Sequence, residues 1–186
     1  MTVRQSDMVR VGIESIVCYW LVPAEPMRRF FVSTIEALAT RFDAPVFEPH
    51  VTIYVTRNGA ADPVKVLGSV LANSQPYRLS VRDIQSSEQF TKTLFVQFES
   101  TPSLVQLRQA LQHASGSQDA YDLNPHLSLL YKEMAHQVKL GLTASIHIPF
   151  TEVLFDLAKA VVCPQPIKSR DDVECWRVSA EQKLIA

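Results

Sequence analysis

Glu48-Pro49-His50-Val51-Thr52-Ile53 and Asn124-Pro125-His126-Leu127-Ser128-Leu129 are the two stretches on which the reading of this chain turns. Reduced to residue type, both run Pro-His-aliphatic-hydroxyl-aliphatic. Successive side chains along a strand alternate between faces. His50 and Thr52 therefore share one face, and Val51 and Ile53 the other. His126 and Ser128 are matched in the same way, with Leu127 and Leu129 opposite. Each strand buries its aliphatics on one side and presents an imidazole and a hydroxyl on the other.

The surroundings repeat as well. His50 to His126, Pro49 to Pro125 and Pro26 to Pro102 are each 76 residues apart. Ser15 to Val22 is β-branched and aromatic and reads as a strand that Pro23 ends. Pro26 suits a helix start, and Met27, Phe30, Phe31, Ile35, Leu38 and Phe42 follow at helical spacing. Val46 to Val55 is expected as a strand. Asp62 caps a helix opened by Pro63, with Val66, Leu67, Val70 and Leu71 on one face. Strands at Tyr77 to Gln85 and Thr93 to Phe98 come next. Thr101-Pro102 then opens a second cap-plus-proline helix with Leu104, Leu107 and Leu111. A strand at Pro125 to Leu130, a weaker helix at Ala135 to Leu142, and strands at Val153 to Val162 and Cys175 to Val178 complete the chain. The order β-α-β-α-β, then β-α-β-α-β-β, is that of a duplicated α+β fold. One domain over residues 1–186 is expected, with similar halves at about 13–88 and 91–180.

Composition narrows the partners. The 186 residues carry 18 basic and 19 acidic side chains, a net charge of -1, with 47% apolar residues. That apolar content excludes disorder, and a chain of this size hides roughly 70% of its unfolded surface. The near-zero charge offers no general attraction to nucleic acid or anionic membrane. Arg28-Arg29 is the only adjacent basic pair, and Lys168 and Arg170 are offset by Asp171 and Asp172. An extended nucleic-acid partner is therefore not expected, nor is a membrane, because no apolar run approaches the ~20 residues a spanning helix needs. The polar opening MTVRQSDMVRVGIES has no signal-peptide core, so a cytoplasmic monomer is expected. Cys18, Cys163 and Cys175 have no metal-binding or framework spacing. Cys18 reads as a buried thiol; Cys163 and Cys175 flank a loop that could bring them together in a strand pair, but two unrelated thiols in a reducing compartment are expected.

Two imidazoles and two hydroxyls in one groove suit displacement at phosphorus. Imidazole titrates near pH 6.5, so one can act as base while the other acts as acid. Hydroxyls can hydrogen-bond the non-bridging oxygens as charge builds. A singly charged cyclic phosphodiester can be balanced by these groups and one imidazolium without a metal. His113, His136 and His147 lack the hydroxyl partner and read as surface residues. There is no HExxH, GxSxG, GxGxxG or GxxxxGK[ST] pattern, which leaves zinc, serine-hydrolase and nucleotide-loop chemistry without support.

On these motifs, HVTI at 50–53 and HLSL at 126–129, the chain resembles the two-histidine (2H) phosphoesterase superfamily, defined by two H-x-[ST]-x motifs in a duplicated fold. Trp20 and Pro23 in the opening strand, and HLSLLY ending in Tyr131, resemble its cyclic phosphodiesterase branch. The resemblance implies two lobes with antiparallel-rich sheets, helices on the outer faces and the active groove between them. It implies opening of nucleoside 2′,3′-cyclic phosphates or of ADP-ribose 1″,2″-cyclic phosphate left by tRNA splicing, with no cofactor. His126 would be the base, His50 the acid, and Thr52, Ser128 and Tyr131 would hold the phosphate. Other branches act on RNA ends or 2′-5′ linkages, and a non-catalytic phosphate-binding module is a further alternative. Strict alternation puts Tyr131 on the face away from His126, so it reaches the site only if the strand ends or bulges near Leu130. Phe90, in SSEQFTK, is a candidate for stacking on a base. Trp20 is expected in the core.

Overall fold

Prolines and caps cut this chain into alternating strands and helices. The computed structural model describes residues 14–118 and 120–185. The opening segment, as far as residue 13, lies outside them, and with it the expectation that no signal sequence is present. In chain order the elements are β1 (Ser15–Pro23), α1 (Met27–Phe42), β2 (Val51–Arg57), α2 (Pro63–Leu71), β3 (Tyr77–Ser86), a 3-10 turn (Phe90–Lys92), β4 (Leu94–Phe98), α3 (Pro102–Ala114), β5 (His126–Leu130), α4 (His136–Ser145), β6 (Glu152–Pro164), α5 (Arg170–Glu174) and β7 (Arg177–Lys183). The Asp62 carboxylate accepts from Val64 N at 3.0 Å, and the Thr101 hydroxyl accepts from Leu104 N at 3.3 Å. Both capped starts expected from Asp62-Pro63 and Thr101-Pro102 are thus present.

Several boundaries differ from the sequence reading, three of them strand starts with a clear cause. β2 begins at Val51 rather than Val46, and β5 at His126 rather than Pro125. Pro45, Pro49 and Pro125 have no N–H to give a ladder, so the strands form only beyond them. β7 begins at Arg177 because Arg170–Glu174 forms a short helix, with Ser169 and Asp172 capping each other reciprocally.

All strand pairs are antiparallel, and the order is β1-β2-β5-β4-β3-β6-β7 with a further β1–β6 pairing. β1 to β6 therefore close into a ring, from which β7 extends on β6. Phe155 of β6 is paired to both Pro23 of β1 and Tyr77 of β3. The strands of the two sequence halves interleave in this sheet: β3 lies against β4, and β1 lies against β6. Between β2 and β5 the ring closes on the single pair Val51–Leu127.

One face of this sheet packs on the main helices. Phe31 and Leu38 of α1, Val66, Leu67 and Leu71 of α2, and Leu104, Leu107 and Leu111 of α3 share one buried cluster with Val51, Ile53, Leu127 and Leu129. At ~25 cal/mol per Å² of apolar surface removed from water, this shared core is the main stabilising term. It also fixes register, because slipping β2 or β5 by one residue would turn its aliphatics outward and its imidazole inward. Among the described residues no helix is long and apolar enough to cross a membrane.

Candidate active site

The face opposite the core holds a cavity of about 210 Å³ lined by His50, Thr52, His126, Ser128 and Tyr131, among others. The alternation read from the two hexapeptides accounts for the first four. Val51 and Ile53, and Leu127 and Leu129, are at most 1% exposed on the core side, which leaves their neighbours facing the cavity. The single β2–β5 pair lies one residue after each histidine.

Each imidazole is oriented in the same way. His50 Nδ1–H donates to Glu48 O at 2.7 Å, and His126 Nδ1–H donates to Asn124 O at 2.7 Å. A carbonyl can only accept, so the proton is on Nδ1 and the lone pair on Nε2. The scaffolds behind the two carbonyls differ. The Glu48 carboxylate is held by Arg28 and by Lys159 at 2.9 Å, and Lys159 also pairs with Glu181 at 2.9 Å. On the other side the buried Gln97 amide donates to Asn124 Oδ1 and to Pro125 O, both at 2.8 Å.

Tyr131 reaches the cavity by the route the alternation argument demanded. β5 ends at Leu130, and its pairing with β4 shifts register between Leu94 and Phe95. The Tyr131 ring then stacks on Phe47 at 3.8 Å, and Tyr131 and Ser128 line the same cavity. Ser128 Oγ–H donates to Thr91 O at 2.9 Å. Burial pushes the Tyr131 phenol well above its ordinary range. It is a neutral hydrogen-bond donor here.

Phe90 does not reach the cavity lining. Its ring packs on Tyr131 at 6.0 Å, in a cluster with Ile35, Phe47 and Val173, so it supports the tyrosine from behind instead of facing a ligand. Its neighbour Lys92 takes the place sequence reasoning had missed. Among the described residues Lys92 is the only Lys, Arg, Asp or Glu side chain in the cavity lining. Its ammonium lies 4.4 Å over the Phe95 ring, which in turn meets His126 edge-on at 5.4 Å. Trp20 is buried, as expected, yet it also lines the cavity and stacks on His50 at 3.7 Å and 12°. Trp176 closes the same aromatic wall, meeting Trp20 edge-on at 5.2 Å.

Burial sets the electrostatics. Desolvation lowers the His50 pKa to about 4, opposed by the bond to Glu48 and assisted by the nearby His126. Desolvation also lowers His126 to about 4, opposed by the bond to Asn124 and assisted by the charge of Lys92. Both imidazoles are therefore neutral near pH 7 in the empty cavity. The lysine, rather than an imidazolium, is the standing positive charge, and burial lowers its pKa from the ordinary value.

The remaining candidates lie elsewhere. His113, His136 and His147 are outside the cavity lining. Cys175 is exposed, while Cys163 is buried with Cys18 on the adjacent strand. Their mutual hydrogen bond and their burial raise the Cys18 thiol well above its usual range. Arg28 is paired with Glu48 and Arg170 with Asp43 at 2.6 Å, which takes both from any exposed basic track. Among the described residues no three His, Cys, Asp or Glu side chains are grouped to hold a metal ion.

Comparison with known proteins agrees with this architecture. A model of the 2′-5′ RNA ligase superfamily matches residues 23–151. The cyclic phosphodiesterase of Arabidopsis thaliana is 27% identical over 127 residues, 68% of this chain and 70% of that protein. Among solved structures, E. coli LigT complexed with 3′-AMP superposes with a TM-score of 0.56 at 15% identity, covering 93% of this chain and 99% of that one. A Thermus thermophilus protein, TT0787, gives 0.56 at 13% identity, with 91% and 97% covered.

Proposed function

This chain belongs to the 2′-5′ RNA ligase superfamily, and we propose that within it the protein is a phosphoric diester hydrolase that opens a ribose cyclic phosphodiester to a phosphomonoester. The substrate class is nucleoside 2′,3′-cyclic phosphates or ADP-ribose 1″,2″-cyclic phosphate. The observation that carries the reading is the pair of neutral imidazoles, His50 buried and His126 half-buried, each pinned through Nδ1–H to a carbonyl two residues before it, in the lining of one cavity. The likeness to a cyclic phosphodiesterase supports it. The cavity's 210 Å³ is below the roughly 300 Å³ at which pockets begin to enclose whole drug-sized ligands. It suits a cyclic phosphate and its ribose better than a longer strand.

In the proposed reaction His126 Nε2 takes a proton from water as the water oxygen bonds to phosphorus. The bond from phosphorus to one ribose oxygen breaks in line, and His50 Nε2–H protonates that oxygen. Two features support this assignment of roles. The Lys92 charge opposes protonation of His126, as a base requires. The Trp20 face against His50 favours its charged form by about 0.5–1 kcal/mol or more. His50 Nε2 takes up a proton from solvent when the substrate binds, because the anionic phosphate raises the pKa of the imidazole beside it. Thr52, Tyr131 and Lys92 donate to the non-bridging oxygens, and Ser128 joins them by turning its hydroxyl away from Thr91 O.

His50→Ala and His126→Ala are each expected to lower kcat on a 2′,3′-cyclic nucleotide by about 10²–10⁴-fold, with the wild-type rate unchanged in chelator. Full activity in either variant would overturn the assignment. Binding without turnover in the wild type would instead identify a phosphate-recognition module.

A further inference from the structure

A second groove of about 610 Å³ adjoins the catalytic cavity. The two share Ile16, Val55 and Tyr121 as lining residues, so a molecule that outgrows the inner cavity continues into the outer one past these three side chains.

The strand register shows what stands along that route. Cross-strand partners carry their side chains on the same face. In the β1–β2 ladder Trp20 is opposite Thr52, Cys18 opposite Val55, and Ile16 opposite Arg57, with a bulge between Tyr19 and Trp20 absorbing one residue of β2. Trp20, Thr52, Cys18, Val55 and Ile16 all line the catalytic cavity. Arg57 is therefore the next side chain on the same face, moving outward. From Trp20 to Ile16 is four residues of strand, roughly 13 Å at about 3.3 Å per residue, a span that one nucleoside and an extended arginine side chain can bridge.

Among the described residues Arg57 is also uncommitted. It makes no ion pair or side-chain hydrogen bond among the described residues, whereas Arg28, Arg78, Arg82 and Arg170 are all paired with carboxylates. The outer groove's other polar residues include Ser15, Asn58 and Gln165, with Glu14 as the one acidic member among the described residues. Asn58 is tied to Ser15 by its amide at 2.9 Å, which anchors the turn beside Arg57.

We propose that this outer groove is a second subsite in which Arg57 takes a further phosphate of the substrate, the one on the 5′ side of the nucleoside whose cyclic phosphate is in the inner cavity. The preferred substrates are then nucleotides phosphorylated or extended at the 5′ position. The proposal rests on the cyclic-phosphodiester reading for the placement of the inner phosphate, but its test can be read without catalysis. Calorimetry would compare adenosine 3′,5′-bisphosphate with 3′-AMP, on the wild type and on Arg57→Gln. The bisphosphate is expected to bind the wild type about five- to tenfold more tightly, as one charge-assisted contact at an exposed site allows. Arg57→Gln should abolish that difference and leave 3′-AMP binding within about twofold. Equal affinities in the wild type, an equal loss of both ligands in the variant, or binding of neither would overturn the subsite. A bisphosphate preference that depends on Arg57, in a protein that turns over no cyclic nucleotide, would uphold the subsite and reject the proposed reaction.

Discussion

His50 and His126 owe their state to three local causes: burial, a carbonyl two residues back, and one neighbour apiece. Burial wins in both, which gives a directly checkable outcome. In an NMR titration of the free protein both rings should be neutral at pH 6 and titrate near 4. Adding inorganic phosphate should move at least one of them upward, because the anion stabilises the imidazolium beside it. Two rings that titrate near 6.5 in the free protein would remove the electrostatic basis of the role assignment. The pH dependence of kcat/KM reports the free enzyme and that of kcat the complex, so the limb that reports loss of the acid's proton is expected at higher pH in kcat. At this scale the hexapeptides were highly informative. Alternation alone put His50, Thr52, His126 and Ser128 on the cavity face. Lys92 was not legible, because its position depends on how residues 87–93 fold back over β5, and no local pattern encodes that. Phe90 was misjudged for the same reason: the turn that brings Lys92 in carries Phe90 behind Tyr131.

That turn is held by an element distant in the chain. Lys139 of α4 is 2% exposed, pairs with Glu88, and donates to Ser87 O at 3.0 Å. From there the chain runs to Thr91, whose carbonyl holds Ser128, and to Lys92. Lys139 is thus a positioning residue for the β4–β5 side of the cavity. Lys139→Met keeps the length of the side chain and leaves Ser87 O without its partner, at a cost of about 1–3 kcal/mol. A severalfold higher KM is expected, together with a rise in the His126 pKa as Lys92 moves away, while His50 stays unchanged. A purely structural lysine would lower the melting temperature and leave the His126 titration where it was. The elements themselves were largely legible, since their caps and periodicities are local. Their ends were not, where prolines withheld N–H groups before Val51 and His126, or where Ser169 and Asp172 capped a helix too short to show a period.

For the whole molecule, the two histidines make folding sensitive to acid. Each is near 4 in the folded chain and about 6.5 when unfolded. Between those values the unfolded state binds more protons, so the stability they confer is complete above about pH 6.5 and is lost as pH falls toward 4. For the enclosed His50 the loss is on the order of 2 kcal/mol by about pH 5; it is smaller for His126, whose ring is half-buried. Thermal melts should therefore fall by a few degrees from about pH 6.5 to 5, and by clearly less in a His50→Gln, His126→Gln double variant. Parallel curves for the two proteins would show that the rings are not held neutral by the fold. The ring topology was the least legible feature. Trp20 and Lys159 pair although 139 residues separate them, and no local signal announces a partner that distant.

The Val51–Leu127 pair also behaves like the clasp of a bracelet. Every other junction in the ring is a ladder of several residues, so this is where the hoop parts most cheaply. Parting it would move the two histidine-bearing strands away from each other and leave the remaining ladders intact. A ligand gripped from both sides would act as a pin through the clasp. Amide exchange at Val51 and Leu127 should slow when phosphate fills the cavity, more than at the long β1–β6 ladder, and unchanged exchange there would show the clasp to be as firm as the rest of the hoop.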